Sequence, residues 1–329
     1  MRIGILGSGF MGGTHARAFA SLPDVQVVAV SSRSIDKASK LAAEVGATAT
    51  TDDLSIINDP SIDAISNTLP TTLHRDTTIA ALQAGKHVLL EKPFALTDED
   101  CAAMMAAEAA SDKLLMLAHV VRFWPEYEVL AEIVHSGRLG KPLAAVANRL
   151  SVVPGWADWF VDPALSGGAV MDLLIHDFDA LNWVMGKPKS IYARGQEAAP
   201  GLWNHIQSIV DYGDAQAFAE GSEMMPKDYP FSCGLNVLCE RGKVEFTFKA
   251  GGVSVEMGGG SQLVVYEPGS SYKPEVPAGD AYARQAAYFV DCVRNNRPPV
   301  RSGSAAARLG VRMANAARQS METAAVVPL

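Results

Sequence analysis

The chain has 329 residues, which exceeds one ordinary compact domain, so two domains are expected. Hydrophobic residues make up 48% of the chain and charged residues 19%, a composition typical of folded globular proteins and not of disordered chains. The net charge of −8 argues against a nucleic-acid partner. No apolar run approaches the roughly 20 residues that span a bilayer, so we expect no membrane partner either.

The N-terminus and the cysteines indicate the compartment. The first residues, MRIGILGSG, lead straight into a predicted strand and leave no room for a signal peptide. The four cysteines are too few for a disulfide framework and lack the spacing of a metal site; they are Cys101, Cys233, Cys239 and Cys292. We therefore expect a cytoplasmic protein with reduced thiols.

The first 120 residues alternate short apolar runs with helical segments. Strands are predicted at 2–6, 25–30, 63–67, 86–91 and 114–118, and helices at 12–21, 35–45, 72–84 and 97–111. This alternation is typical of βαβ units and predicts a parallel sheet. Thr97 is a predicted helix N-cap, and Gly46 and Gly85 follow helices where a terminating glycine is expected.

The pattern changes after residue 140, where short strands alternate with turn residues. Strands are predicted at 143–153, 188–194, 206–212, 215–222, 232–239, 243–248, 253–257 and 262–266. Few crossovers separate them, so a largely antiparallel sheet is expected. Helices are predicted at 166–186, 281–296 and 303–322. We therefore predict two domains, residues 1–120 and 121–329.

A glycine motif follows the first predicted strand. ILGSGFMGG (5–13) has the spacing GxGxxG directly before a predicted helix. The first glycine permits a tight turn, the second lets the backbone approach a pyrophosphate, and the third lets helix and strand pack closely. The N–H groups at the helix N-terminus then bind the anion. The predicted dinucleotide-binding residues are Gly7, Ser8, Gly9, Phe10, Met11 and Gly12.

The second strand indicates which dinucleotide binds. In NAD enzymes an Asp or Glu stands about 20 residues beyond the last glycine and binds the ribose 2′-hydroxyl. VQVVAVSSRS has Ser32 at this position, followed by Arg33 and Ser34, and Lys37 comes one turn later. A guanidinium without a carboxylate in this segment favours a 2′-phosphate. We therefore predict NADP(H) in preference to NAD(H); if Arg33 is only a solvated loop residue, both cofactors bind.

Two further motifs, taken with those above, give the whole chain a resemblance to a known family. LLEKPFAL (89–96) and SGGAVMDLLIHDFD (166–179), together with the glycine motif and NTLPTTLHRD (67–76), resemble the glucose–fructose oxidoreductase/inositol dehydrogenase/MocA-like (Gfo/Idh/MocA) family. The resemblance implies an α/β fold: an N-terminal Rossmann domain with a doubly wound parallel sheet, then a C-terminal α+β domain with a large open, mainly antiparallel sheet. It also implies NAD(P)-dependent oxidation or reduction of a sugar, cyclitol or related polyol.

The resemblance also assigns site residues. Lys92, in the Glu-Lys-Pro motif, would lie near the nicotinamide and hydrogen-bond the reacting oxygen. Asp172 and His176 match the family's Asp-x-x-x-His, in which the histidine serves as acid and base. Leu174 stands where many members have Gly, so the packing of this helix is expected to differ. The other residues expected beside the cofactor are Thr68, Leu69, Pro70, His74 and Glu91.

The chemistry of hydride transfer requires the same residue types. Oxidation of a secondary alcohol needs a base for the hydroxyl proton and a cation near the developing oxyanion, and reduction of a ketone needs the same groups in reverse. A histidine titrates in the useful range. Lys92 follows a predicted strand, and ligands bind at the carboxyl ends of strands in open α/β sheets.

A continuous helix over 166–186 would place four polar or aromatic side chains on one stripe, namely Asp172, His176, Asp179 and Trp183. On its own such a stripe is equally typical of a solvated face. Together with Lys92 and the nucleotide motif, it predicts one wall of a cleft facing the nicotinamide. Asp172, one turn before His176, would orient its ring. Asp179 receives no role.

Four residues are candidate substrate contacts. Arg122 in HVVRFWPEY matches an arginine found at the mouth of the substrate cleft in the family. His119, near the predicted domain junction, is a second candidate. Trp156 and Trp159 in PGWADWF either wall a sugar site or anchor a loop. The remaining histidines are expected on the surface or satisfied in the core, namely His15, His87, His135 and His205, and no motif indicates a metal.

The leading hypothesis is an NADP-preferring oxidoreductase acting on a small hydroxylated sugar or polyol. Two alternatives remain open: a glycosidase-like hydrolase with a tightly held NAD, and a non-catalytic dinucleotide-binding sensor. The open sheet of the second domain predicts self-association as a homodimer or homotetramer, because an exposed apolar sheet is a liability in a monomer.

Overall fold

The computed structural model describes residues 1–153, 155 and 158–329. The chain forms two compact units, one of Met1–Phe123 with Gly279–Arg308 and the other of Trp124–Ala278 with Leu309–Leu329. The first boundary lies three residues from the predicted one. Residues 279–308, predicted in the second domain, belong to the first unit.

The first unit alternates strands and helices as predicted. Its strands are β1 (Arg2–Leu6), β2 (Gln26–Ser31), β3 (Thr48–Thr50), β4 (Ala64–Asn67), β5 (His87–Leu90) and β6 (Leu115–Leu117). Its helices are α1 (Phe10–Ala20), α2 (Ile35–Val45), α3 (Asp53–Ile57), α4 (His74–Gln83) and α5 (Asp98–Ala109). In the described residues these strands form one parallel sheet in the order β3-β2-β1-β4-β5-β6, which confirms the predicted Rossmann topology. The strand order reverses between β1 and β4, where ligands bind in such sheets.

Helix caps and the core agree with the sequence pattern. The Thr97 hydroxyl accepts a hydrogen bond from Asp100 N–H and begins α5, and Gly46 ends α2 with φ of 70°. Helix α10 (Ala281–Arg294) packs on α1, where the rings of Phe19 and Phe289 lie 6.2 Å apart. This shared core explains why residues 279–308 belong to the first unit.

The second unit is built on a large mixed sheet. Its strands are β7 (Pro142–Leu150), β8 (Ser190–Ala199), β9 (Leu202–Asp211), β10 (Gln216–Ser222), β11 (Ser232–Cys239), β12 (Gly242–Ala250), β13 (Gly259–Glu267), β14 (Ser270–Tyr272) and β15 (Val327–Pro328). Within the described chain the order is β14-β13-β12-β11-β7-β10-β9-β8-β15. The β7–β10 pair is parallel and the other pairs are antiparallel, which confirms the predicted class of sheet.

Helices of the second unit are α6 (Pro125–His135), α7 (Pro163–Ser166), α8 (Ala169–Asp172) and α9 (Ile175–Met185). The residues of α11 (Ser304–Thr323) are divided between the units at Arg308. No helix in the described ranges is long and apolar enough to cross a membrane. All four cysteines are buried free thiols.

The strand predicted at 253–257 is wrong. This segment contains a 3₁₀ turn at Val255–Met257, between glycines that let the chain fold back on itself. The Gly251 N–H donates to the Gly258 carbonyl at 2.8 Å, which closes the loop between β12 and β13.

The prediction of one continuous helix over 166–186 is also wrong, because three separate helices occupy this region. Gly167 and Gly168 both have φ of 73°, and this left-handed backbone separates α7 from α8. Ser166 is the last residue of α7.

A second irregularity separates α8 from α9. The Leu174 N–H donates to the Ala169 carbonyl, five residues back, at 2.8 Å instead of continuing the regular ladder. Leu174 is fully buried, and a Cβ on Gly221 of β10 would lie 2.9 Å from its side chain. The close approach of Leu174 to the sheet therefore accompanies the break, at the position where the family resemblance indicated different packing.

A buried ion pair fixes α9 to the sheet. The guanidinium of Arg149 on β7 donates to both carboxylate oxygens of Asp177, from Nε at 2.9 Å and from Nη2 at 3.1 Å. Burial is the largest single influence and lowers the pKa of Arg149, but the opposing effects of Asp177, Tyr127 and Cys233 together raise that pKa, so the guanidinium stays charged. Removing one partner of such a pair costs about 3–5 kcal/mol, because the other charge is left buried.

Candidate functional site

The turn after β1 is shaped by two glycines that pack against backbone. Gly7 has φ of 99°, and a Cβ there would lie 2.8 Å from the Thr68 hydroxyl. A Cβ on Gly12 would lie 2.1 Å from the Gly7 carbonyl oxygen. The Thr68 hydroxyl also donates to the Leu6 carbonyl at 2.7 Å, so the loops after β1 and β4 are joined. Gly7 and Gly12 are therefore required by the fold of the turn itself.

Gly9 has a different environment. A Cβ at this position would meet no atom of the described residues within 4 Å. Helix α1 begins at the next residue, and its first turn carries no acidic side chain that would repel an anion. This open cradle at a helix N-terminus fits the pyrophosphate of a dinucleotide.

Positively charged side chains lie beside this cradle. A cavity of about 310 Å³ is lined by Ser8, Gly9, Phe10, Gly13, Arg17, Lys37, Lys40, Leu41 and Glu44. Arg17 pairs with Glu44 at 3.1 Å, and a Cβ on Gly13 would lie 3.2 Å from its guanidinium. Lys37 was predicted from the sequence to lie beside the cofactor, whereas Arg17 and Lys40 were not. The small residue Gly13, one turn before Arg17, was the sequence signal for space beside that side chain.

The predicted residues after β2 form the start of α2. The Ser34 hydroxyl caps this helix and accepts from Lys37 N–H at 3.4 Å, and the Ser32 hydroxyl accepts from Ser34 N–H at 3.4 Å. Arg33 and Lys37 are exposed. Their side chains are therefore accessible at the carboxyl end of β2, as the predicted 2′-phosphate site requires.

Lys92 follows β5 and is held from its backbone. Its N–H donates to Oε2 of Glu91 at 3.0 Å, and Glu91 N–H donates to the Asn67 carbonyl at 3.0 Å. The Glu91 carboxylate is buried, whereas Lys92 is half-buried. On the other side of Glu91 lies His15 of α1, at 2.9 Å from Nε2 to Oε1. The sequence placed His15 on the surface or in a satisfied core; it is buried and contacts the Glu-Lys-Pro motif.

His74 contacts the backbone of the loops that follow β4 and β5. Its Nδ1 lies 3.0 Å from the Pro93 carbonyl oxygen and its Nε2 lies 2.9 Å from the Leu69 carbonyl oxygen. Burial lowers the pKa of His74, against the opposing effects of Leu69, Glu91 and Pro93. Its contact with the cofactor stays a prediction, because both ring nitrogens face the backbone of the loops that Pro70 and Lys92 belong to.

Asp172 and His176 lie in the second unit, on either side of the helix break. Asp172 is the last residue of α8 and His176 the second of α9, and both are half-buried. Asp179 is 1% exposed. Because the backbone between α8 and α9 is irregular, the predicted stripe at regular helical spacing does not extend back to Asp172.

The predicted substrate contacts are distributed over both units. His119 and Arg122 are buried in the first unit, where the Arg122 Nη1 donates to the Arg301 carbonyl at 2.8 Å. Trp159 stacks on Phe160 in the second unit, with ring centroids 4.0 Å apart. Trp156 lies outside the described residues.

The other histidines have local partners, as expected. His87 Nδ1 accepts from Leu114 N–H at 3.1 Å, His135 Nε2 lies 2.8 Å from the Trp183 carbonyl oxygen, and His205 lies 4.0 Å from Glu220. In the part of the chain that the structure describes, no group of three or more His, Cys, Asp or Glu side chains is placed to hold a metal ion.

Both units match known protein families. Residues 1–119 match the profile of an oxidoreductase family with an NAD-binding Rossmann fold, and residues 127–245 match the GFO/IDH/MocA C-terminal domain. The chain belongs to the Gfo/Idh/MocA oxidoreductase family. The N-terminal match covers the glycine turn and Lys92, and the C-terminal match covers Asp172 and His176.

Curated relatives in this family act on sugars and inositol. The 1,5-anhydro-D-fructose reductase of Ensifer adhaerens is 33% identical over 163 residues, 49% of each chain. The myo-inositol 2-dehydrogenase of Thermotoga maritima is 31% identical over 197 residues, 59% of this chain and 58% of that one. These alignments span about half of the relatives' length. The D-xylose 1-dehydrogenase (NADP(+)) 2 of Haloferax volcanii is 28% identical over all of both chains.

Solved structures share the fold. The aldose-aldose oxidoreductase from Caulobacter crescentus, complexed with glycerol, has a TM-score of 0.87 at 23% identity and covers 100% of this chain and 99% of that one. A levoglucosan dehydrogenase in complex with NADH and levoglucosan has a TM-score of 0.84 at 20% identity, covering 100% and 99%. These proteins share the fold of this chain along their whole length.

An added methyl group is expected to have different effects at Gly12 and Gly9: it lowers the stability at Gly12 and the affinity for NADPH at Gly9. Gly12→Ala places a Cβ 2.1 Å from the Gly7 carbonyl oxygen, and we expect the free energy of unfolding to fall by about 1–3 kcal/mol. The Cβ that Gly9→Ala adds points into open space among the described residues, so the free energy of unfolding of this variant is expected within about 0.5 kcal/mol of the wild-type value. Its Kd for NADPH is expected to rise about 10- to 100-fold, because the methyl group separates the backbone from the pyrophosphate.

Urea unfolding and fluorescence titration with NADPH measure both quantities. Gly260→Ala is the matched control, since a Cβ there also meets open space but lies on β13 of the second unit. If Gly9→Ala bound NADPH with wild-type affinity, the pyrophosphate of the cofactor would not bind at this residue.

Proposed function

We propose that this protein transfers a hydride between a nicotinamide dinucleotide, NADP(H) in preference to NAD(H), and a carbinol or carbonyl carbon of a sugar, cyclitol or related polyol. The observation that carries the proposal is the position of Lys92 directly after β5, held by the buried Glu91 in the unit that contains the glycine cradle. The named activities of the relatives, a sugar reductase, an inositol dehydrogenase and a xylose dehydrogenase, support the substrate class.

The side chains supply what this reaction needs. A bound nicotinamide ring accepts or donates the hydride. The Lys92 ammonium donates a hydrogen bond to the reacting oxygen and stabilises the negative charge that develops there. The imidazole of His176 takes the hydroxyl proton during oxidation and returns a proton to the oxygen during reduction, and Asp172 orients its ring.

The preference for NADP(H) is supported by the charges around the cradle. Arg33 and Lys37 are exposed at the end of β2, and Arg17 and Lys40 line the adjoining cavity. A 2′-phosphate forms charge-assisted hydrogen bonds with such groups. The carboxylate of Glu44, which also lines this cavity, is already paired with Arg17.

We also propose that the open face of the large sheet binds a second copy of this chain. Val146, Ile209 and Leu238 on this face are 45–52% exposed. Phe218 lies between Val146 and Ile209 in the strand register, so these three residues form a continuous apolar row, and Leu238 lies opposite Ala144 on the neighbouring strand. A face of this kind is typical of a homodimer or homotetramer interface.

The reaction is tested by combining D-xylose, myo-inositol and 1,5-anhydro-D-fructose with both cofactors and following the absorbance of the reduced nicotinamide. His176→Ala is expected to lower kcat by about 10²–10⁴-fold with the Kd for NADPH unchanged, because it removes the proton acceptor but no cofactor contact. His205→Ala, a partly exposed histidine of the same unit, is the control and should retain kcat. An unchanged kcat in His176→Ala would exclude the acid–base role.

Cofactor choice is tested separately with Arg33→Ala. We expect the Kd for NADPH to rise about 10- to 100-fold while the Kd for NADH stays nearly unchanged, because a charge-assisted hydrogen bond contributes about 1.5–3 kcal/mol. Arg75→Ala removes an arginine of the same unit that pairs with Asp76 and Asp100, and it should affect neither affinity. Equal losses for the two cofactors in Arg33→Ala would contradict the 2′-phosphate site.

A further inference from the structure

A histidine is buried between the nucleotide-binding helix and the lysine loop. His15 lies five residues after the start of α1, and it is 1% exposed. Its neighbours on the helix are apolar, since Ala16 and Phe19 are fully buried in the core of the unit. An imidazole in such surroundings is stabilised by polar or charged groups that face its nitrogens.

Both ring nitrogens of His15 have partners at the ends of strands. Nδ1 lies 2.8 Å from the Ser66 hydroxyl on β4, and Nε2 lies 2.9 Å from Oε1 of Glu91 directly after β5. The Nδ1 contact is a hydrogen bond with the Ser66 hydroxyl, whereas the Nε2 contact is a close approach of the imidazole to the Glu91 carboxylate at ion-pair distance, without hydrogen-bond alignment among the described residues.

The second oxygen of the same carboxylate holds Lys92. Oε2 of Glu91 accepts the Lys92 N–H at 3.0 Å. Glu91 is 5% exposed, and a buried carboxylate that loses a polar neighbour either rotates toward another or becomes protonated. Removing His15 therefore disturbs the group that fixes the backbone of Lys92.

We propose that His15 is a positioning residue for Lys92. It holds the Glu91 carboxylate from α1, and Glu91 in turn fixes the direction in which the Lys92 side chain leaves the loop. The same helix presents the cradle for the cofactor at its N-terminus, so one rigid element positions both cofactor and lysine. The inference rests on the proposed role of Lys92 in hydride transfer.

The test uses three variants of α1 in the full chain. His15→Leu removes both polar contacts, His15→Gln keeps a polar group beside Glu91, and Phe19→Leu loosens the core one turn later without touching the carboxylate. The first readout is the ¹³C signal of Lys92 after reductive methylation with labelled formaldehyde, assigned by its loss in Lys92→Arg. The others are kcat with NADPH, the Kd for NADPH, and urea unfolding.

We expect His15→Leu to move the Lys92 signal and to lower kcat about 10- to 100-fold, as a misplaced catalytic group does, with the Kd for NADPH unchanged. His15→Gln should restore most of both, and Phe19→Leu should lose stability while keeping the Lys92 signal. An unmoved signal in His15→Leu, no rescue by His15→Gln, or an equal effect of Phe19→Leu would overturn the proposal.

Two further outcomes keep the test decisive. If His15→Leu does not fold, Glu91→Gln takes its place, and an unmoved Lys92 signal in that variant overturns the proposal. If no polyol is turned over by the wild type, the proposed function fails, but the Lys92 signal still decides whether His15 positions the lysine.

Discussion

The buried carboxylate of Glu91 is the contact on which the arrangement of the first unit depends. One oxygen faces His15 on α1, the other accepts the N–H of Lys92, and the Glu91 N–H donates to the carbonyl of Asn67 on β4. These contacts connect the nucleotide helix, two neighbouring strand ends and the lysine. Because a buried carboxylate is stable only when its oxygens are bonded, the group resists displacement. The cradle at Gly9 and the ammonium of Lys92 are therefore parts of one connected structure.

In the second unit the corresponding anchor is the ion pair between Arg149 and Asp177. Asp177 is the residue after His176, and its bidentate contact with β7 fixes the first turn of α9. The helix break before it, at Leu174, lets that side chain pack on Gly221. A charged residue in an apolar helix face thus fixes the helix turn that carries His176 from the side that faces the sheet.

The parallel sheet and the glycine turn were predictable because local signals agree with the fold. Strand–helix alternation, the cap at Thr97 and the terminating Gly46 all depend on nearby residues. The break between Asp172 and His176 was not predictable, since it depends on contact with Gly221, 47 positions after Leu174. The positions of His15 beside Glu91 and of Arg17 at the cavity near Gly9 were not predictable for a similar reason, because the folded chain alone brings these groups close.

The central claim is direct hydride transfer, and deuterium tests it most directly. The protein is incubated with NADP⁺ and either D-xylose deuterated at C1 or myo-inositol deuterated at C2, and the reduced cofactor is analysed by mass spectrometry and proton NMR. The account predicts that the deuterium is recovered at C4 of the nicotinamide, on one face of the ring. Reduced cofactor without deuterium, or no reduced cofactor from any sugar or cyclitol, would contradict it.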